Sequence, residues 1–430
     1  MKKNQSMKDI IIIGFALFAM FFGSGNLIFP PYLGRLVGGK YLLACIGFTV
    51  MGVGLPLLGV MATAKVGGQF ENVARRVGKG FDVVLMTALV LAIGPFLAIP
   101  RTAATTFEMS IRPFLPGISP ILVLALYFCI NLFFVFKPGK VVDLIGKFLT
   151  PALLVILAVI ISKGVFSPIG PLTENTMNHV LTGALIEGYQ TMDALAAICF
   201  GGLIVKTIGE KGYTNNKQII KMTLKASLIA LVGLGIIYGG LIFVGAHTST
   251  IVGEFEKTAL VIEITRSLLG EMGAAFLALA VGLACLTTSI GLTTTGANYF
   301  SKLSKGRLSY NVVAIFISLL SFGIALLGVD NIVVLTLPVL KILYPIIIVL
   351  VALTLIGKWV DSNLIYQVAT WTTLGVIIVD VLSQTFKISF LQNVIKYLPF
   401  SAYEFSWVVP AILAILIGKV FVSIQPKKLK

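Results

Sequence analysis

Long apolar runs separated by short polar loops are the feature that most constrains this chain. Of its 430 residues, 57% are apolar and only 12% are charged, and the mean hydropathy is +1.01. A soluble chain carries about a quarter charged residues, because it must cover its own surface with polar groups. About 20 apolar residues in succession can cross a bilayer as a helix. The sequence therefore predicts an all-α polytopic membrane protein.

Twelve apolar runs of about 20 residues can be marked along the chain. Because the loops between them are short, we expect one transmembrane domain over residues 1–430. The predicted spans are 10–34, 41–64, 82–107, 119–136, 141–162, 184–205, 219–244, 272–300, 309–328, 332–356, 365–383 and 404–423.

The 33 Lys and Arg residues are distributed unevenly between the two sides of these spans. An even number of spans places both termini on one side, and the loops of that side hold most of the positive charge. Cytoplasmic loops carry such an excess, so both termini are predicted to be cytoplasmic. The net charge of +16 is spread over short loops. It does not form a clustered basic surface on a soluble fold, and no nucleic-acid partner is expected.

The residue types that carry enzyme chemistry are scattered. The four cysteines lie within apolar runs without a CxxC pair, and the two histidines stand in separate loops. No phosphate-binding GxxxxGK[ST] loop is present, which disfavours a primary pump. We therefore expect no enzyme, no catalytic residue and no resident cofactor. A channel remains an alternative, although the sequence has no repeated segment resembling a selectivity filter.

The first apolar run is interrupted by Gly23-Ser24-Gly25-Asn26, and Pro30-Pro31 follows. Glycine is a poor helix residue and proline cannot donate to the helix ladder, so an unwound stretch is predicted. Unpaired backbone at membrane depth is tolerated only where it is buried in protein or lines a wet cavity. Small residues could instead serve close helix packing. The asparagine within the break favours a binding role.

The sixth run contains two carboxylates, Glu187 and Asp193, and then Gly201-Gly202. A charged side chain within a span is costly unless it has a partner, a cavity or a proton. Glu187 could be solvated at the interface. Asp193 is expected inside, where it either binds a ligand or only holds the end of a half-helix.

The two interruptions fall in spans one and six. If spans 1–5 and 6–10 are two copies of one unit, the interruptions occupy equivalent positions, which is a sequence pattern typical of transporter sites. The predicted units are 1–165, 180–358 and a C-terminal pair of helices over 359–430. No residue-by-residue similarity joins the halves, so the repeat rests on spacing.

Broken helices would create a site of mixed polarity. The N-terminus of a half-helix suits an anion, and the carbonyls at a C-terminus suit a small cation. A zwitterion such as an amino acid needs both. Apolar residues near the breaks, Phe22 and Phe96 among them, favour an apolar side chain on the ligand.

Two further groups of polar residues lie within spans. Thr287-Thr288-Ser289 in span eight could bond back to their own helix or form an oxygen site suited to Na⁺. In span three, Arg101 is expected to bond Glu108 or extend to the outer interface. A structural or gating role is predicted for Arg101 and Glu108 rather than ligand contact.

Three separated motifs occur in order along the chain: Phe22–Pro31, Gly94–Phe96 with Ile99–Ala103, and Gly188–Asp193. They resemble the bacterial branched-chain amino acid:cation symporter family, within the amino acid–polyamine–organocation superfamily. The resemblance implies uptake of leucine, isoleucine and valine across the bacterial plasma membrane, usually with Na⁺. It also implies a leucine-transporter-type fold of 12 helices, with a 5+5 inverted repeat, broken helices 1 and 6, and two extra C-terminal helices.

The resemblance assigns roles to individual residues. Backbone N–H groups of the first break would face the substrate carboxylate, and the second break would face its amino group and side chain. The implied substrate-binding residues are Gly23, Ser24, Gly25, Asn26, Phe96, Tyr189, Thr191 and Asp193.

Sodium would sit between the carbonyls of Ala19 and Phe22 and the hydroxyls of Thr287, Thr288 or Ser289. This set has no carboxylate, which makes Na⁺ held by neutral oxygens the simpler expectation. Proton coupling through Glu187 or Asp193 remains open, and Glu187 is otherwise assigned a structural or gating role.

Overall fold

The structure is a computed structural model that describes residues 6–137, 140–253 and 255–424. Within these ranges the chain forms helices joined by loops and contains no strand, which confirms the all-α prediction for this part. Lys2, Lys3 and the C-terminal lysines, on which the predicted orientation partly depends, lie outside the described residues.

Eighteen α-helices are present in the described ranges. Wider π-helical turns at Val50–Gly54, Ala92–Phe96 and Thr106–Ile111 extend or join some of them. The helices are α1 Met7–Phe21, α2 Ser24–Val37, α3 Tyr41–Thr49, α4 Leu55–Lys65, α5 Glu71–Ala74, α6 Phe81–Leu91, α7 Ala98–Thr105, α8 Pro120–Phe136, α9 Lys140–Phe166, α10 Val180–Tyr189, α11 Asp193–Glu210, α12 Asn216–Ala246, α13 Lys257–Leu303, α14 Tyr310–Ala325, α15 Val329–Ile356, α16 Asn363–Thr385, α17 Ser389–Lys396 and α18 Val408–Ile424.

Several of the helical runs match the thickness of a bilayer. Among the described residues, six are long and apolar enough to cross one, and the bent pair α10 and α11 makes a seventh if it counts as one span. Shorter apolar helices include α8, α14 and α18. The chain is thus a multi-pass membrane protein, whereas the number of twelve spans stays a prediction. The six runs are Ser24–Lys65, Phe81–Ile111, Asn216–Ala246, Lys257–Leu303, Val329–Val360 and Asn363–Thr385.

The outward faces of the peripheral helices are apolar. Helix α14 exposes Phe316 and Leu319, and α18 exposes Leu416, Val420 and Phe421. A soluble protein rarely leaves such contiguous apolar surface in water. These faces are suited to contact with lipid, so the polar side chains collect in the interior of the helix bundle.

Helices α2 and α12 lie in near backbone contact through a pair of glycines. A Cβ atom built on Gly34 would lie 2.0 Å from the carbonyl oxygen of Ile242, and one built on Gly245 would lie 2.0 Å from that of Pro31. Only glycine permits this approach. It holds the C-terminal half of α2 against the C-terminal end of α12.

We expect Gly245→Ala to destabilise the protein by at least about 2 kcal/mol, because the added methyl must push two backbones apart. The measurement is the melting temperature of the purified protein in detergent. Gly323→Ala is the matched control, since a Cβ at Gly323 meets no atom within 4 Å. Equal melting temperatures for the two variants would contradict the close contact of α2 and α12.

Candidate functional site

Helix α1 ends at Phe21 and α2 begins at Ser24, so only Phe22 and Gly23 lie between them. The predicted unwound stretch over 23–26 is therefore shorter in the structure. The reason is a capping contact: the side-chain oxygen Oδ1 of Asn26 accepts a hydrogen bond from the Gly23 N–H at 3.1 Å. Capping lets the helix restart at Ser24 and leaves first-turn N–H groups without an intrahelical acceptor.

Helices α10 and α11 meet at an angle of 44° across Gln190, Thr191 and Met192. Met192 adopts a left-handed backbone conformation with φ of 63°. Such a residue persists only where its surroundings fix it. One fixing contact is at the C-terminus of α10, where the Tyr344 hydroxyl donates to the carbonyl of Tyr189 at 2.9 Å.

The Asn26 side chain connects the two breaks. Its Nδ2 donates to Oδ2 of Asp193 at 2.5 Å and also to the hydroxyl of Tyr238 on α12. Asn26 is 1% exposed and Asp193 is 6% exposed. The buried Asp193 carboxylate and Tyr238 hydroxyl each need a hydrogen-bond partner, and the Asn26 amide provides it. These two hydrogen bonds link the first break to the second and to α12.

Arg101, on α7, closes the third side of the site. It is 3% exposed, and its guanidinium donates to the carbonyls of Gln190 at 2.5 Å and Thr191 at 3.4 Å. The guanidinium also reaches the first turn of α2, since a Cβ on Gly25 would lie 2.8 Å from Nη2. Glycine at this position permits that approach.

The sequence-based expectation for Arg101 placed its side chain against Glu108 or at the outer interface, and the structure shows neither contact. Seven helical residues separate the two by about 10 Å along the axis, so they do not meet. Glu108 instead accepts hydrogen bonds from Thr258 at 2.6 Å and from the Val329 N–H at 2.8 Å. It therefore links α13 to the start of α15.

A cavity of about 100 Å³ lies where the two breaks meet. It brings together most of the residues singled out in the sequence, and it includes several that the sequence did not indicate. Its lining residues are Ala19, Met20, Phe22, Gly23, Ser24, Gly25, Asn26, Ile93, Ala98, Arg101, Thr102, Thr191, Met192, Asp193, Ala196, Phe200, Thr288 and Leu292.

Some of the predicted site residues lie outside the cavity lining. Phe96 is 43% exposed, and Tyr189 is buried with its ring stacked on Tyr344 at 4.2 Å between centroids. Glu187 is half-buried on α10, and its Oε2 makes no hydrogen bond among the described residues. The structure thus does not bring these three to the cavity.

The three adjacent hydroxyls of α13 point in different directions. Thr287 bonds back to the carbonyl of Ala284 at 3.0 Å, as Thr residues in helices often do. Thr288 lines the cavity together with Ala19 and Phe22. Ser289 is fully buried away from it and makes no hydrogen bond within the described residues.

Sequence reasoning missed the contributions of Tyr238, Tyr344 and Met192 to the site. For the two tyrosines the sequence gives one indication, because a hydroxyl within an apolar run needs a hydrogen-bond partner. Nothing in the sequence pairs them with particular residues. The left-handed conformation of Met192 has no sequence signal that we recognise.

A family model described as "Branched-chain amino acid transport protein" matches residues 6–425 of the chain. The chain is 37% identical over 440 residues to the branched-chain amino acid permease BraB of Bacillus subtilis, with 100% of this chain and 99% of the relative covered. It is 35% identical over 419 residues to the branched-chain amino acid transport system 2 carrier protein of Pseudomonas aeruginosa, with 96% and 95% covered.

Solved transporter structures share the fold. The closed structure of Mhp1, a nucleobase-cation-symport-1 family transporter, superposes with a TM-score of 0.65 at 14% identity, covering 96% of this chain and 92% of Mhp1. MhsT in complex with L-phenylalanine superposes with a TM-score of 0.54 at 18% identity, covering 98% and 99%. Both have the leucine-transporter fold, and at such identities the likeness concerns the fold alone.

We expect Asn26→Ala to lower the stability of the protein by about 2 kcal/mol or more, because it leaves the buried Asp193 carboxylate without its donor. Thermal melting in detergent measures the effect. Asn331→Ala is the control, since the Asn331 amide also donates a hydrogen bond, at 2.8 Å, but is exposed. If both variants melted alike, the two breaks would not depend on Asn26.

Proposed function

We infer the activity of this chain from the premise that it belongs to the branched-chain amino acid transport protein family. We propose that it is a secondary symporter that imports leucine, isoleucine and valine together with Na⁺. The observation that carries the proposal is the cavity between the two breaks, which has charged and apolar walls at once. In the proposed cycle, helix groups rock around this cavity and open it to each side in turn.

The proposed substrate is a small zwitterion with an apolar side chain. The amino group would face Asp193 and Thr191, and the carboxylate would face the first turn of α2, where the helix dipole and free N–H groups favour an anion. Ile93, Ala196 and Leu292 offer an apolar wall for the side chain. Among amino acids, a branched aliphatic one fits this combination.

The proposed sodium position lies at the C-terminus of α1. The Gly23 N–H donates to Asn26 instead of continuing α1, so the last carbonyls of that helix lack their usual donor. Ala19, in the last turn of α1, and Phe22, directly after the helix, line the cavity together with Thr288. Neutral oxygens of this kind suit Na⁺. Ser289 contributes less to this proposal than Thr288, because it does not line the cavity.

A proton-coupled mechanism is the second candidate. It is favoured by one observation, the buried carboxylate of Asp193 on the cavity wall, where a proton could substitute for the charge of the cation.

The proposed architecture is that of the family. It has twelve spans, with the repeats over 1–165 and 180–358 and two further helices over 359–430. Both termini would lie in the cytoplasm of a bacterial cell. The leucine-transporter fold shared with Mhp1 and MhsT supports the repeat.

Uptake of labelled leucine into proteoliposomes tests the function. We expect uptake to accelerate several-fold under an inward Na⁺ gradient, and preloaded leucine to drive counterflow, which distinguishes a carrier from a channel. Protein-free vesicles are the control. Acceleration by a pH gradient alone would favour proton coupling, and indifference to both gradients would contradict symport.

The sodium position predicts that Thr288→Ala raises the Na⁺ concentration for half-maximal uptake about tenfold, the effect of losing one oxygen contact worth about 1.4 kcal/mol. Thr295→Ala is the matched control on the same helix, because Thr295 does not line the cavity and bonds back to the Gly291 carbonyl at 2.8 Å. An unchanged Na⁺ dependence in Thr288→Ala would move the cation away from α13.

A further inference from the structure

Two buried groups of opposite charge face the cavity without pairing to each other. Arg101 and Asp193 both line it and are both almost fully buried. Among the described residues, no ion pair within 4 Å includes either of them. A buried charge is costly unless it is paired, and this one cavity contains two of them.

The donors of Arg101 are only partly used. Two of its N–H groups reach the carbonyls of Gln190 and Thr191, the second at a long 3.4 Å. Its Nε is buried and has no hydrogen-bond partner in the part of the chain that the structure describes. A guanidinium has five donors, and its strongest partners are carboxylates, which it binds through two parallel hydrogen bonds. The carbonyls orient the group, but among the described residues no carboxylate lies within 4 Å of it.

The guanidinium also lies at a second source of positive potential. It approaches the first turn of α2 closely at Gly25. The N–H groups of that turn have no intrahelical acceptor, and the helix dipole is positive there. A full positive charge and a helix N-terminus therefore converge on one point of the cavity wall.

We propose that Arg101 binds the α-carboxylate of the substrate, together with the first turn of α2, while Asp193 binds the α-ammonium group. This inference rests on the proposed function and deepens it. Arg101 thereby becomes a specificity-determining residue. A zwitterion pairs both Arg101 and Asp193. A simple amine would leave Arg101 without a partner, and a simple carboxylic acid would leave Asp193 without one.

Arg35 provides the comparison for a purely structural arginine. Its guanidinium donates to the carbonyls of Thr248, Ile251 and Gly253 at 2.9–3.1 Å, and it does not line the cavity. If Arg101 served only to hold the break between α10 and α11, removing it would act on every ligand alike.

The test measures the equilibrium affinities of the purified full-length protein for leucine and for leucinamide. Leucinamide keeps the ammonium group of leucine but lacks the carboxylate. Arg101→Gln should weaken leucine binding about 30-fold or more, the scale for losing one partner of a buried charge pair. It should change leucinamide binding less than about threefold. Arg101→Lys should fall between, because it keeps the charge but not the two-pronged geometry. Arg35→Gln should leave the ratio of the two affinities unchanged.

Equal losses for leucine and leucinamide in both Arg101 variants would overturn the proposal and make Arg101 a structural residue. Equal affinities of the two ligands for the wild-type protein would overturn it as well. Absence of leucine binding to the wild-type protein would instead contradict the proposed function. Size-exclusion profiles show whether each variant is folded. If Arg101→Gln does not fold, the comparison of leucine and leucinamide binding is made with Arg101→Lys.

Discussion

The side-chain amide of Asn26 connects the two helix breaks, and the arrangement of the cavity depends on it. Its oxygen caps the restart of the helix at Ser24, and its nitrogen donates to Asp193 and Tyr238. One residue thereby ends α1, starts α2 and fixes the second break. Since Asn26 and Asp193 are almost fully buried, losing any of these contacts would leave a buried polar group without its partner.

The bilayer explains why polarity is concentrated at this point. The outward helix faces are apolar, so helix ends and charged groups are tolerated only inside, where they can satisfy one another. Mhp1 and MhsT share the fold at 14% and 18% identity. That likeness concerns the fold alone, and the particular chemistry of the cavity comes from residues of this chain. Arg101 and Asp193, which both line one small cavity, are the clearest instance.

Periodicity and composition predicted the helical class, the membrane location and the two interruptions, because glycine, proline and buried polar residues act locally. The extent of the first break was predicted too long, since the capping contact of Asn26 depends on its rotamer. The partners of Arg101 could not be predicted, because they lie 89 and 90 residues away along the chain. Likewise, which hydroxyl of 287–289 faces the cavity depends on how α13 is rotated within the bundle.

An experimental structure of the protein with leucine bound tests the central claim most directly, namely that the substrate is held between the two breaks. The account predicts ligand density in this cavity, with the carboxylate about 3 Å from the Arg101 guanidinium and the first turn of α2, and the ammonium about 3 Å from Asp193. Leucine bound elsewhere, or spans one and six continuous through their breaks, would contradict it.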